Sequence, residues 1–185
     1  MPTQTLQTFP QRTVLEATRP DFTVRVPATA ASGFAVNQGD IIGIITSSGK
    51  VRRRSRTTAT GTGGTNASAA IQVTDASVFV AGDVLTGEDG VAIGTVQSVN
   101  TVASPNTVTL SGNSAINIAS GDSLLASDGS QVAAGISDDA SDGTNDTTIA
   151  VTITGLLDST KLRGLDSSAQ KELEGAVVVN EIFKF

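Results

Sequence analysis

Three times along this 185-residue chain a Gly-Asp pair leads into an apolar run. The copies are Gln38-Gly39-Asp40-Ile41-Ile42, Ala81-Gly82-Asp83-Val84-Leu85 and Ser120-Gly121-Asp122-Ser123-Leu124. Glycine reaches positive φ at little cost and aspartate bonds its local backbone, so each pair reads as a turn that starts a strand. The second and third copies continue at the same offset to Asp89-Gly90 and Asp128-Gly129, then to Gly94-Thr95-Val96 and Gly135-Ile136-Ser137. The copies are too short and irregular for a solenoid, and the pattern predicts repeated hairpins. Alternation elsewhere agrees: Phe22, Val24 and Val26, then Ile71 and Val73, Val108 and Leu110, and Ile149, Val151 and Ile153 each mark one face of a strand. Ile41–Thr46 is a further β-branched run, and 177–179 with 182–183 predicts a closing strand. One helix is expected, over Ser168–Glu174, capped by Asp166 or Ser167 and ended by Gly175. The expectation is a mainly β protein with one short C-terminal helix.

Four of the five prolines (Pro2, Pro10, Pro20 and Pro27) fall in the first 27 residues. They forbid a continuous helix there, so residues 1–20 read as an extended arm that orders on docking. Thr57–Asn66 (TTATGTGGTN) reads as a flexible entry into an inserted β module over 66–124, leaving 21–65 and 125–185 as the core. The N-terminus lacks the apolar stretch of a signal peptide and no apolar run is long enough to span a bilayer, so the expected setting is a cytoplasm or a particle assembled there.

The chain contains no His, Cys, Trp or Tyr. That removes disulfides, zinc fingers, thiol nucleophiles and the Ser-His-Asp triad, and leaves six Phe as the only aromatics for stacking. A structural or binding protein is expected rather than an enzyme, and no cofactor is expected. Charge is segregated. Residues 1–56 hold eight basic and three acidic side chains, a net of +5, whereas 57–160 hold eleven carboxylates and no Lys or Arg. This suggests a basic part facing a partner and an acidic insertion facing water.

Within the basic part, Lys50-Val51-Arg52-Arg53-Arg54-Ser55-Arg56 is the sharpest feature. In a strand, Lys50, Arg52, Arg54 and Arg56 would line one face. Such a stripe is either an edge kept from aggregating by its charge or a site for an anionic partner. With an acidic chain and no Trp or Tyr, an acidic protein surface precedes nucleic acid as that partner. The segment from Asp138 to Asp146 resembles a calcium loop at Asp138, Asp142 and Gly143, but Ala140 and Ile149 stand where ligands are needed, so it reads as a solvated acidic loop. Glu88 and Asp89 are adjacent in a turn and point apart, which disfavours a glycosidase pair. Phe9, an isolated aromatic in a polar arm, is a candidate anchor in a partner, with packing on its own domain as the alternative.

The order of the segments resembles the head decoration proteins of tailed phages, of the lambda type. The motifs are Gly39-Asp40-Ile41-Ile42-Gly43-Ile44-Ile45-Thr46-Ser47-Ser48-Gly49-Lys50-Val51, then Asp128-Gly129-Ser130-Gln131-Val132-Ala133-Ala134-Gly135-Ile136. The strand Thr148–Gly155 with Leu156-Leu157-Asp158 follows, then the helix and terminal strand. The resemblance covers about 20–56 and 126–185, and the stretch 66–124 departs from it. It implies a small tulip-like β-barrel core with an added β-hairpin module. It also implies a homotrimer on the outer surface of an expanded capsid, clamping the major capsid protein, with no nucleic-acid or membrane partner. The residues expected to carry capsid binding are Leu6, Phe9, Arg12, Val14 and Leu15 in the arm, with Arg52, Arg54 and Arg56. A surface-binding β module, such as a receptor or adhesin domain, is the alternative.

Overall fold

The computed structural model describes residues 24–61, 68–174 and 177–180. They form two rings of strands. The first contains β1 (Val24–Ala30), β2 (Ile41–Ile44), β3 (Val51–Arg53), β10 (Gly135–Ser137) and β11 (Thr147–Asp158). Pairing runs β1-β3-β2-β10-β11 and returns from β11 to β1, and β12 (Val177–Asn180) adds in parallel to the far end of β11. Alternate residues point inward, so Ala30, Val36, Ile42, Val51, Ile149 and Val151 fill this barrel. Helix α1 (Ser167–Leu173) covers its outside by burying Ala169 and Leu173 against Ile41, Ala133 and Ile136. Asp166 caps the helix by accepting the Ala169 N–H at 2.6 Å, as expected of the residue before the first turn.

The second ring comprises β4 (Arg56–Thr58), β5 (Ala70–Val73), β6 (Val84–Thr86), β7 (Ala92–Asn100), β8 (Asn106–Leu110) and β9 (Ser123–Ala126). Its order is β4-β9-β6-β7-β8-β5, and the Ala59–Val73 bridge closes β5 onto the end of β4. Ile71, Phe79, Leu85, Ile93, Val108, Leu110 and Leu124 pack inside it as part of a single cluster.

The structure shifts both boundaries of the inserted unit. The inserted unit starts at Arg56 and ends at Ala126, because β4 pairs with β9 and both belong to the second ring. Thr57 and Ala59 are buried where a flexible linker was expected. The unit is a six-stranded ring rather than a hairpin module. The repeat of hairpins also stops short: β2–β3 and β6–β7 pair as hairpins, but β10, which follows β9, crosses to the first ring and pairs with β2 and β11. Of the predicted terminal strand, 177–179 lies in β12, while 182–183 and the helix-ending Gly175 lie outside the described residues, as does Phe22.

The Gly-Asp echo is a repeated piece of backbone chemistry. Gly39, Gly82 and Gly121 have φ of 85°, 96° and 98°. Each following aspartate accepts the N–H three residues back, at Asn37, Val80 and Ala119, at 2.7–3.0 Å. Each turn is also clamped to one residue of another segment. Gly39, Gly82 and Gly121 donate to the carbonyls of Ser137, Val96 and Ala59, whose own N–H groups donate back to Asp40, Asp83 and Asp122.

Candidate functional site

Where the chain passes between the rings, two segments cross side by side. Ser55 N–H donates to the Ser130 carbonyl at 3.2 Å and Ala126 N–H to the Ser55 carbonyl at 3.0 Å. The Ser55 and Ser130 hydroxyls meet at 2.6 Å, fully buried. Ser130 Oγ donates its proton to Asp128 Oδ1, so Ser55 is the donor of that pair. Gly43 is required beside this crossing, since a Cβ there would lie 2.0 Å from the Ser130 carbonyl oxygen.

Four arginines line the joint, and three of them, Arg52, Arg53 and Arg56, pair across it. Arg52, 1 % exposed, places its guanidinium 3.8 Å from the Phe34 ring centroid. It donates to both Asp83 oxygens, to Asp128 and to the Val78 carbonyl, all outside the first barrel's strands. Arg53 reaches Asp40 on its own side and Asp75 and Ser77 on the second ring. Arg54 makes five hydrogen bonds, one to the Gln131 carbonyl next to the crossing and four to Asp166, Ser168 and Glu172, so it ties the crossing to α1 and its cap. Arg56 donates to Glu88 and Ser123. Two of the three turn aspartates, Asp40 and Asp83, therefore have a second role as arginine partners; Asp122 does not face the joint.

Burial and these partners pull the carboxylates in opposite directions. Desolvation raises Asp40 and outweighs its bonds from Asn37 and Arg53, so its carboxyl lies above the ordinary value. Desolvation also acts on Asp75 and Asp166. There, hydrogen bonds from Ser77 and Arg53, and from Ala169 and Arg54, prevail and hold both carboxyls below it.

These contacts revise the reading of the basic run. Lys50, Arg52, Arg54 and Arg56 do not form one exposed stripe, because β3 ends at Arg53 and the chain turns into the crossing. Arg52 and Arg54 are buried and Arg56 is half-buried on Glu88. Only Lys50 stays at the surface, paired with Asp146 at 2.5 Å. The outer face of β3 is roofed by the second ring instead of water. Charge segregation is thus largely an internal complementarity: Asp75, Asp83 and Glu88 of the acidic insertion neutralise Arg53, Arg52 and Arg56. The predicted arm residues Leu6, Phe9, Arg12, Val14 and Leu15 lie outside the described residues.

The acidic loop is likewise occupied by protein. Asp138 is buried against Arg25 and Thr152, Asp142 accepts the Thr144 N–H, and Asp146 holds Ser32 N–H and Lys50. Glu88 faces Arg56 while Asp89 accepts Val91 N–H, so the two diverge. Among the described residues no group of three or more acidic side chains is placed to hold a metal ion.

A cleft of about 220 Å³ opens between the rings, walled by Ile41, Val78 and Leu165 and by Arg53, Arg56 and Arg163. The sequence reading overlooked Arg53, placed on the wrong face by simple alternation, and Arg163, which no motif marks. The only signal near Arg163 is Gly164, whose φ of 76° breaks the chain there. Compared with known proteins, the chain matches no family, no curated protein and no solved structure.

Proposed function

We propose that the chain is a decoration protein of a tailed-phage head, seated as a homotrimer on the outer surface of the expanded shell. There it braces the major capsid protein against the pressure of packaged DNA and carries no catalytic activity. The observation that carries this reading is a coincidence of boundaries. The two stretches that hold the resemblance, about 20–56 and 126–185, supply the first barrel and its helix, and the chain between them, which includes the departing stretch 66–124, makes the second ring. A brace needs rigid shape and pairing edges, and a joint where Arg52 and Arg53 pair with Asp83 and Asp75 of the second ring, and Arg56 with Asp166 of the helix cap, ties the two rings together. In this reading residues 1–20 add a strand to capsid segments, a mode that draws affinity from backbone bonds and needs no Trp or Tyr. Three arms in one trimer turn the second and third contacts into intramolecular events, so modest single-site affinity yields lasting attachment.

The test is co-sedimentation of the purified chain with empty heads before and after expansion. The expected result is a trimer in solution that pellets with expanded shells only, and loses binding when residues 1–20 are deleted. A stable monomer, or binding that disappears only when 66–124 is removed, would overturn it. One observation favours a surface-binding module as the second reading. Residues 90–121 carry no charged side chain, and Val102 at the tip of the β7–β8 hairpin is 94 % exposed. That reading predicts adhesion to host cells by the full chain, lost when 66–124 is removed.

A further inference from the structure

We infer that the cleft between the two rings receives a carboxylate side chain of a partner protein, with Arg163 as the group that holds it. The inference rests on the reading of the chain as one that docks on another protein. It begins with the cations. Arg25, Lys50, Arg52, Arg53, Arg54 and Arg56 all have a carboxylate within 4.0 Å. Among the described residues Arg163, Lys161 and Lys171 have none; of these three only Arg163 lines the cleft, where its charge also acts through space on buried Asp40. The two acidic side chains in the cleft wall are committed elsewhere: Asp75 to Arg53, and Asp166 to Arg54 and the helix cap. A partner chosen by charge therefore meets Arg163 rather than the run 50–56.

Its backbone is fixed although its side chain makes no ion pair within 4.0 Å among the described residues. Arg163 N–H donates to the Gly39 carbonyl at 2.9 Å and its own carbonyl accepts Ile41 N–H at 3.0 Å, so the residue is stitched to the first Gly-Asp turn. A preorganised cation loses less on binding than one on a free loop.

Size and polarity select the occupant. About 220 Å³ is smaller than the 300–1,000 Å³ typical of cofactor and drug-sized ligand sites, and suits one or two side chains. Ile41, Val78 and Leu165 offer apolar contact to the methylenes of a glutamate while Arg163 meets its carboxylate in bidentate fashion. A nucleic acid fits poorly. It needs a row of uncommitted cations, and the cleft offers only Arg163, because Arg53, Arg54 and Arg56 are already ion-paired.

The experiment is a nuclear magnetic resonance titration of the full chain with the pentapeptide Thr-Ala-Glu-Ala-Thr, its Gln counterpart and a ten-nucleotide oligothymidylate. The expected result is that the Glu peptide shifts the Arg163 side-chain Nε–H signal and the Gly164 and Leu165 amides, while the Gln peptide does not. Arg163→Gln should weaken the Glu peptide at least about fivefold, whereas Lys171→Gln, on the helix away from the cleft, leaves it within twofold. The melting temperature should change little in Arg163→Gln, since that side chain makes no ion pair within 4.0 Å among the described residues and acts on Asp40 only through space. Equal response to the Gln peptide, full affinity in Arg163→Gln, or tighter binding of the oligothymidylate would each overturn the inference. The titration needs no shell, so its failure is separable from a failure to sediment with heads.

Discussion

The two rings are closed by different physics. The second holds one continuous apolar cluster, with Ile71, Leu85, Val108 and Leu124 wholly buried and no charged residue between 90 and 121. The first has a split interior, one cluster inside the barrel and another between the barrel and α1, and it buries Asp40, Arg52, Arg54 and Asp138. Apolar closure is non-directional and tolerant of small shifts. Buried ion pairs add little net stability but penalise wrong geometry, because an unpaired charge in the interior is costly. The second ring is thus built to stay folded, and the first to stay in register with what it joins.

The sharpest way to break that comparison is Arg52→Ala. It leaves Asp83, 9 % exposed, and Asp128 facing a void without their common partner. Loss of one member of a buried pair costs about 3–5 kcal/mol, and urea unfolding followed by circular dichroism should register a drop of that order. Amide signals from 127–174 should broaden well before those from 70–110. A loss below about 1 kcal/mol, or simultaneous broadening of both rings, would show that the joint is not what orders the first barrel.

Acid attacks the same joint more gently. Asp75 and Asp166 have lowered carboxyl values in the folded chain, so their stabilisation is present above the ordinary aspartate value, near 4, and is lost as pH falls through the lowered ones. Asp40 works the other way, because its raised value favours the folded state most when it is protonated. The melting temperature should therefore fall between pH 5 and pH 3, and Asp40→Asn, which removes the opposing contribution, should steepen the fall. A melting temperature flat across that range would mean that these carboxylates do not stabilise the fold.

What was legible in the sequence was local. The Gly-Asp turns, the alternation in β5, β8 and β11 and the Asp166 cap are set by residues within a few positions of one another, and each is where its chemistry puts it. The joint was not legible. Partners of Arg52 lie 26 to 76 residues away, and those of Arg54 77 to 118, so no short pattern announces them. The start of the second ring was hidden for another reason: Thr57 and Ala59 face inward but are small, so their strand carries little apolar signal. Charge segregation was visible, but composition does not say whether opposite charges face a partner or each other.

Lys50→Gln sharpens the comparison from its weak end. Lys50 belongs to the same basic run as Arg52 and also contacts a carboxylate, Asp146, in the first barrel's outer loop. Both side chains are more than a third exposed, so water screens the attraction and a flexible lysine gives up rotamer freedom to make it. The expected cost is small, and it should shrink further in 1 M salt, where the screening length is about 3 Å. Asp146 keeps its Ser32 N–H bond in the variant, so the carboxylate is not left without a partner. A cost that rivals Arg52→Ala would mean that charge itself, rather than its burial under the second ring, is what the first barrel depends on; paired urea melts of the two variants at low and high salt decide between them.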